Sequence, residues 1–268
     1  MSILKKKKSH FKVSMIGAGK LASQLAPALE SAGHAISEVY SRHLNNAQAL
    51  CDQLYEAEVK YDFDFSESDA DIFVIAVPDD SIQEVTDKLL LPINAILLHT
   101  SGSKPMEVLK NKRIKGYGVM YPLQTFSKSM PVNFKEVPCL VEGSSSDVED
   151  LIVRLSKSIS KHVEPMTSGQ RAVLHISAVF ACNFTNHMIS IAEDLTDTHH
   201  INFELLKPLI VETMNKSLSA GPKAAQTGPA IREDFDILKL QEKFLKKSDK
   251  QLAKIYKLLS QSILNMHN

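Results

Sequence analysis

Cysteine is scarce: Cys51, Cys139 and Cys182 are the three in 268 residues. They are odd in number, far apart and set among apolar neighbours, which excludes a disulfide framework and suits a reducing cytosol. Net charge is missing too, because 31 basic residues balance 31 acidic ones. With no basic run beyond Lys5 to Lys8, which reads as a solvated, mobile tail within residues 1–10, nucleic acid is not the expected partner. No uninterrupted apolar run has the length of a bilayer span, and Lys20 breaks the early stretch that imitates a signal peptide. Metal-ligand spacing is absent as well: His199 and His200 are neighbours in a loop, and His175 and His187 lie about 18 Å apart along a helix. A cytoplasmic protein with no membrane span and no metal is expected. The composition, 44% hydrophobic and 23% charged, is that of a globular chain forming one large or two ordinary domains.

What is present begins at Phe11–Ile16, a short apolar run feeding Gly17, Ala18, Gly19, Lys20, Leu21 and Ala22. This Gly-x-Gly-x-x-Ala turn opens onto a helical pattern that Gly33 ends. Gly17 allows the sharp turn, Gly19 removes the side chain that would hold a pyrophosphate away, and Ala22 lets the helix pack on the strand. N–H groups at the helix start then face the phosphates. The bare alternative is a βα turn whose glycines serve packing. The next strand, ending at Tyr40, delivers Ser41 and Arg42 about 24 residues past Gly17, where these folds read the adenosine ribose. An acidic residue there would suit a free 2′-hydroxyl, whereas Ser41 and Arg42 suit a 2′-phosphate. NADP is therefore favoured, with NAD possible and a deazaflavin not excluded.

Further along, Ile72 to Val77 reads as a strand buried on both faces, ended by Pro78, so that Val77 and Pro78 border the cofactor. Asp80 is expected to cap the helix from Ser81 to Leu91, and the strand after it brings His99 and Ser101 to the same rim. A helix at 105–111 and a strand from Gly116 to Met120 come next, followed by Tyr121 and Gln124. A doubly wound α/β sheet follows from this alternation. After Pro165 the pattern is helical to the end. The expected organisation is a Rossmann domain over 1–165 and an all-α domain over 166–268. The first of the late helices, Gly169 to Asp197, is apolar over much of its circumference, which suggests burial among helices or against a second subunit.

Taken together, Gly17 to Ala22, Val77-Pro78-Asp79, His99-Thr100-Ser101-Gly102, Pro122 to Phe126, His175 with Asn183, and Thr227-Gly228-Pro229 with Arg232 and Asp234 resemble one family. It is the Rossmann-like family with a DUF2520-type C-terminal domain, itself similar to pyrroline-5-carboxylate reductases and 6-phosphogluconate dehydrogenases. The resemblance implies an NADP-binding N-terminal domain, a helical C-terminal domain, a homodimer formed through those helices, and oxidoreductase activity in a cleft between domains. Two positions depart from the pattern. Tyr121 stands where His commonly precedes Pro-Leu-Gln, and Glu233 stands between Arg232 and Asp234 where Gly is usual.

Similar hydroxyacid dehydrogenases place a lysine four residues before the helical Asn, where this chain has Val179, and no lysine occurs between Lys161 and Lys207. The absence shifts weight toward a C=N reductase, toward a carbonyl reductase with another acid, or toward a non-catalytic dinucleotide-binding sensor or assembly protein. His175 is the leading alternative acid, with Asn183 beside the same small polar substrate; a structural, hydrogen-bonded histidine is the other reading. On a straight helix the two stand about 12 Å apart and about 80° out of line. Ser101, Gln124 and Arg232 are the candidate substrate contacts. Ser101 and Gln124 are equally readable as groups that satisfy loop backbone, and Arg232 as a partner of Asp234.

Overall fold

In the computed structural model, residues 9–110, 113–127 and 130–267 are described. The Lys5–Lys8 tail, and Asn111 at the end of the expected 105–111 helix, lie outside them. The chain divides into two compact units, one through Asn183 and one from Phe184. The helix expected to open the C-terminal domain thus begins within the first unit.

Eight strands make one sheet in the order β3-β2-β1-β4-β5-β6-β7-β8. They are β1 (Lys12–Ile16), β2 (Ala35–Tyr40), β3 (Glu58–Lys60), β4 (Ile72–Ile75), β5 (Ile96–His99), β6 (Gly116–Pro122), β7 (Cys139–Gly143) and β8 (Val163–Pro165). From β3 to β6 all pairings are parallel. The apolar runs supply both faces of this part: Ile72 and Val74 pack into one core, while Phe73 and Ile75 pack into the other. Helices α1 (Ala22–Ser31), α2 (Leu44–Cys51) and α4 (Ser146–Ile159) lie on one face, and α3 (Ile82–Lys88) lies on the other. The pattern reads as doubly wound up to β6, as expected.

At β7 the direction reverses, and β6 and β7 pair antiparallel. A parallel return needs a crossover of a dozen or more residues, usually helical, whereas among the described residues the only helix between these strands is the 3₁₀ turn Phe134–Glu136. Two other expectations are corrected. The Met106–Leu109 segment is a single 3₁₀ turn, and Asp80 caps nothing; its carboxylate instead faces Lys104 Nζ at 3.6 Å.

Within the first unit, α5 (Ser168–Ala178) begins with a capping box in which Thr167 accepts from Gln170 N–H and Gln170 reaches back to Thr167 N–H. A π-helical stretch, Val179–Phe184, continues it into α6 (Thr185–Thr198). By length and composition the run Ser168–Thr198 is apolar enough to span a bilayer, and none of its apolar window is buried within the chain. The sequence reading missed this because polar residues interrupt it. Arg171, however, ties its first turns to the sheet.

The second unit is helical: α6, α7 (Lys207–Ala220), α8 (Pro222–Ala225), α9 (Phe235–Ser248) and α10 (Lys250–His267). The hairpin of α9 and α10 buries Leu245 and Ala253, and Tyr256 donates to Gln241 across it at 2.6 Å.

Candidate functional site

Between β1 and β4 the strand order reverses, and open α/β sheets take ligands outside the carboxyl ends of the strands at such a point. The turn leaving β1 is built for it. Gly17 has φ +119°, and a Cβ there would stand 2.3 Å from the Ala76 carbonyl oxygen, so both backbone conformation and the close approach of β4 demand glycine. Its N–H donates to the Tyr40 carbonyl at 2.7 Å. Gly19 is different: a Cβ there would meet nothing within 4 Å, so the space in front of the turn is open. Helix α1 has no acidic residue in its first turn and carries no side-chain cap, whereas Ser145 and Thr167 cap α4 and α5. Open space before an uncapped helix start is what a pyrophosphate requires.

A cleft of about 410 Å³ opens from this turn, and Gly17, Ala18, Gly19, Ser41, Arg42, Val77 and Pro78 all line it, as the sequence suggested. Ala22 is fully buried beneath it, and Lys20 and Leu21 form the shoulder of the turn outside the lining. The Ser41 hydroxyl accepts from His43 N–H at 3.3 Å, shaping the loop. Arg42 and His43 are exposed at the cleft, and Lys88 of α3 joins them. Glu84 lies there too, but Lys88 pairs with it at 2.5 Å and holds its carboxyl below the usual range. Lys88 was not visible in the sequence, because nothing in a helical charge pair marks which cleft it borders.

A second polar assembly stands where β5 and β6 end. His99 is fully buried; its Nδ1 accepts from Ser101 N–H at 3.1 Å and its Nε2 faces the Pro105 carbonyl at 3.4 Å. Burial first, then the Arg171 charge, pushes its pKa down to about 4. His99, a candidate cofactor contact by sequence, is here a neutral ring that organises the 99–105 loop and lies outside the lining of the nucleotide cleft. Ser101 does similar work, accepting from Ser103 and Lys104 N–H. Gln124 is exposed, and its side-chain oxygen accepts from Thr125 N–H and hydroxyl.

Tyr121 and His175 meet above this loop. The phenol oxygen and His175 Nδ1 are 3.1 Å apart, and the rings meet edge to face. Gly102 makes that contact possible, since a Cβ on it would lie 2.6 Å from Tyr121 Cζ and 2.7 Å from His175 Nδ1. Burial and the Asp79 carboxylate hold the Tyr121 phenol above its ordinary range, against the opposing pull of Arg171.

One turn before His175 on the same helix, Arg171 is fully buried. Its Nη1 donates to Glu142 at 2.6 Å and its Nη2 to the Lys104 carbonyl at 2.8 Å, while Nε has no partner among the described residues. Glu142 also accepts from Ser168 N–H and hydroxyl. Burial raises its carboxyl pKa, but these donors outweigh it and the net shift is down. Sequence reasoning missed Arg171; an arginine on an apolar helix next to a capping box was the available signal.

Asn183 ends the first unit, in the π stretch. A π turn takes in one residue more than an α turn, which removes roughly 100° and returns Asn183 to within about 20° of the line of His175, in place of the 80° of a straight helix. Arg232 lies exposed in the second unit. Its neighbour Glu233 is held at φ +55°, a left-handed backbone that glycine accepts more easily, and Asp234 caps α9 by accepting from Ile237 N–H.

Two family models divide the chain, a Rossmann-like domain over residues 3–123 and a domain of unknown function, DUF2520, over 137–263. A candidate NADP oxidoreductase of Bacteroides fragilis is 37% identical over 96% of this chain and 99% of its own, with a TM-score of 0.84. The fold alone is shared with two others. The reductive aminase of Aspergillus terreus, in complex with NADPH and ethyl levulinate, is 13% identical over 95% of this chain and 94% of its own, with a TM-score of 0.71. The 1-pyrroline-5-carboxylate reductase of Streptococcus pyogenes is 13% identical over 97% and 99%, with a TM-score of 0.61. No curated protein matches the sequence significantly. With a relative so similar along its whole length, the chain belongs to the family that joins a Rossmann-like domain to a DUF2520 domain.

Proposed function

We propose that this protein is an NADP-dependent oxidoreductase acting on a small polar substrate with a C=N or C=O bond. The observation that carries the reading is the open cradle at Gly17 and Gly19, continuous with a cleft whose ribose end holds Arg42, His43 and Lys88. The Bacteroides relative and the NADPH-bound fold neighbour point the same way. Bound NADP(H) supplies a hydride donor or acceptor. The chain's own residues hold it: backbone at Gly17, Ala18 and Gly19 faces the pyrophosphate, Ser41 and Arg42 the 2′-phosphate, and Val77 and Pro78 the middle of the molecule. His175 and Asn183 face the substrate from the helix that follows the sheet. Function as a cytoplasmic homodimer belongs to the same proposal, supported by the apolar side chains left exposed along α5 and α7 and by three free cysteines.

Titration with NADPH and NADH tests it. Arg42→Ala is expected to weaken NADPH about tenfold or more while leaving NADH nearly unchanged, the loss of a charge-assisted contact. Equal loss for both overturns the cofactor assignment, and no nicotinamide binding overturns the function.

A further inference from the structure

Hydride added to a carbonyl or a neutral imine leaves an anion on oxygen or nitrogen, so a proton has to arrive there. With no lysine on the helix, the acid must come from elsewhere. His175 is the expected one, yet its Nδ1 is engaged at 3.1 Å by the Tyr121 hydroxyl. Tyr121 is the penultimate residue of strand β6, at the carboxyl rim where β1 and β4 also end beside the nucleotide cradle. Both rings are only partly buried, and Gly102 holds open the one approach that brings phenol and imidazole together over the β5 loop.

From this geometry we infer that Tyr121 is the proton donor of the reduction and that His175 restores its proton between turnovers. The inference rests on the oxidoreductase reading above. As the substrate carbon gains a C–H bond with the hydride supplied by NADPH, the phenol O–H breaks and a new O–H or N–H forms on the substrate. The substrate gains two electrons, NADPH is oxidised to NADP⁺, and the phenolate recovers a proton from water through the partly exposed His175. The charged groups around the phenol are Asp79 from the turn after β4 and Arg171 from α5. Burial and Asp79 prevail, so the phenol keeps its proton through the neutral range and has it to give.

Three probes separate this role from packing: a ketone, a neutral cyclic imine, and its N-methylated iminium, which already carries positive charge and needs hydride alone. Tyr121→Phe is expected to bind NADPH as the wild type does and to reduce the ketone about a hundredfold more slowly. Its rate on the N-methyliminium stays within about threefold. Tyr121→His, which keeps an acid at the same place, is expected to retain ketone reduction at acidic pH and to lose it as the imidazole deprotonates. Wild-type turnover with ketone reduction preserved in Tyr121→Phe, equal loss on all three probes, or a pH profile unmoved in Tyr121→His overturns the donor role and leaves the oxidoreductase reading standing. Hydride transfer from wild type to none of the three overturns that reading and the donor role with it.

Discussion

His99 shows how one side chain couples chemistry to stability. Its ring accepts from one backbone N–H and faces one carbonyl, which fits only the neutral tautomer with the proton on Nε2. Burial and then Arg171 bring its folded pKa to about 4, against 6.5 for the exposed residue. Because the folded pKa is the lower, the unfolded chain takes up a proton first as pH falls. The stabilisation is complete above about pH 6.5 and is lost progressively toward pH 4, a difference of about 3 kcal/mol. Burial lowers the pKa of His34 too, so it contributes with the same sign. Glu142, held below 4.5, acts only at more acid pH. Urea denaturation across this range is expected to show a slope that His99→Gln reduces substantially; an unchanged slope would assign the effect to His34. The glycine turn was readable from sequence because Gly17 answers a backbone demand that no other residue meets. His99, Ser101 and Tyr121 were visible as rim residues, but their roles depend on ring nitrogens and hydroxyls whose partners lie up to 54 residues away.

Helix α5 is an element held by one buried ion pair. Arg171 is fully buried and the Glu142 side chain is 15% exposed, and removing the carboxylate strands the buried guanidinium charge. Glu142→Gln is expected to destabilise the fold by about 3 kcal/mol or more, whereas Arg171→Met combined with Glu142→Leu should recover much of that loss. Chemical denaturation of the single and double variants measures both, and a double variant no better than the single would show that the contacts to Lys104 and Ser168 matter more than the pair. Apolar periodicity located this helix and most strands, since burial on two faces leaves a strong pattern. It did not reveal the reversal at β7, set by the lack of a crossover, nor the π stretch, whose one-residue widening leaves composition untouched. That widening is what changes the relation of Asn183 to His175.

Over the whole molecule, the unresolved quantity is apolar surface. Val173, Ile176 and Phe180 of the long helical run are 65%, 57% and 65% exposed, and Leu209 and Leu218 of α7 are 62% and 87% exposed. Fully covering a side chain of this size is worth about 1.5–3 kcal/mol, and soluble monomers rarely leave such residues in contiguous patches. The sequence reading anticipated burial among helices or against a second subunit; within the single chain these residues stay uncovered. On the homodimer we propose, a second copy would supply the cover, and the species in solution is expected to have twice the 29.7 kDa of one chain. Sedimentation of wild type and of Ile176→Asp tests this, the variant shifting toward the monomer. A wild type that stays monomeric at the highest attainable concentration overturns the dimer. His175 sits between Val173 and Ile176 on α5, so the cover given by the proposed second copy would lie beside the proton relay. Substrate turnover per chain should therefore fall on dilution in step with dissociation, while NADPH affinity, set by the β1 turn and the cleft beyond it, holds constant.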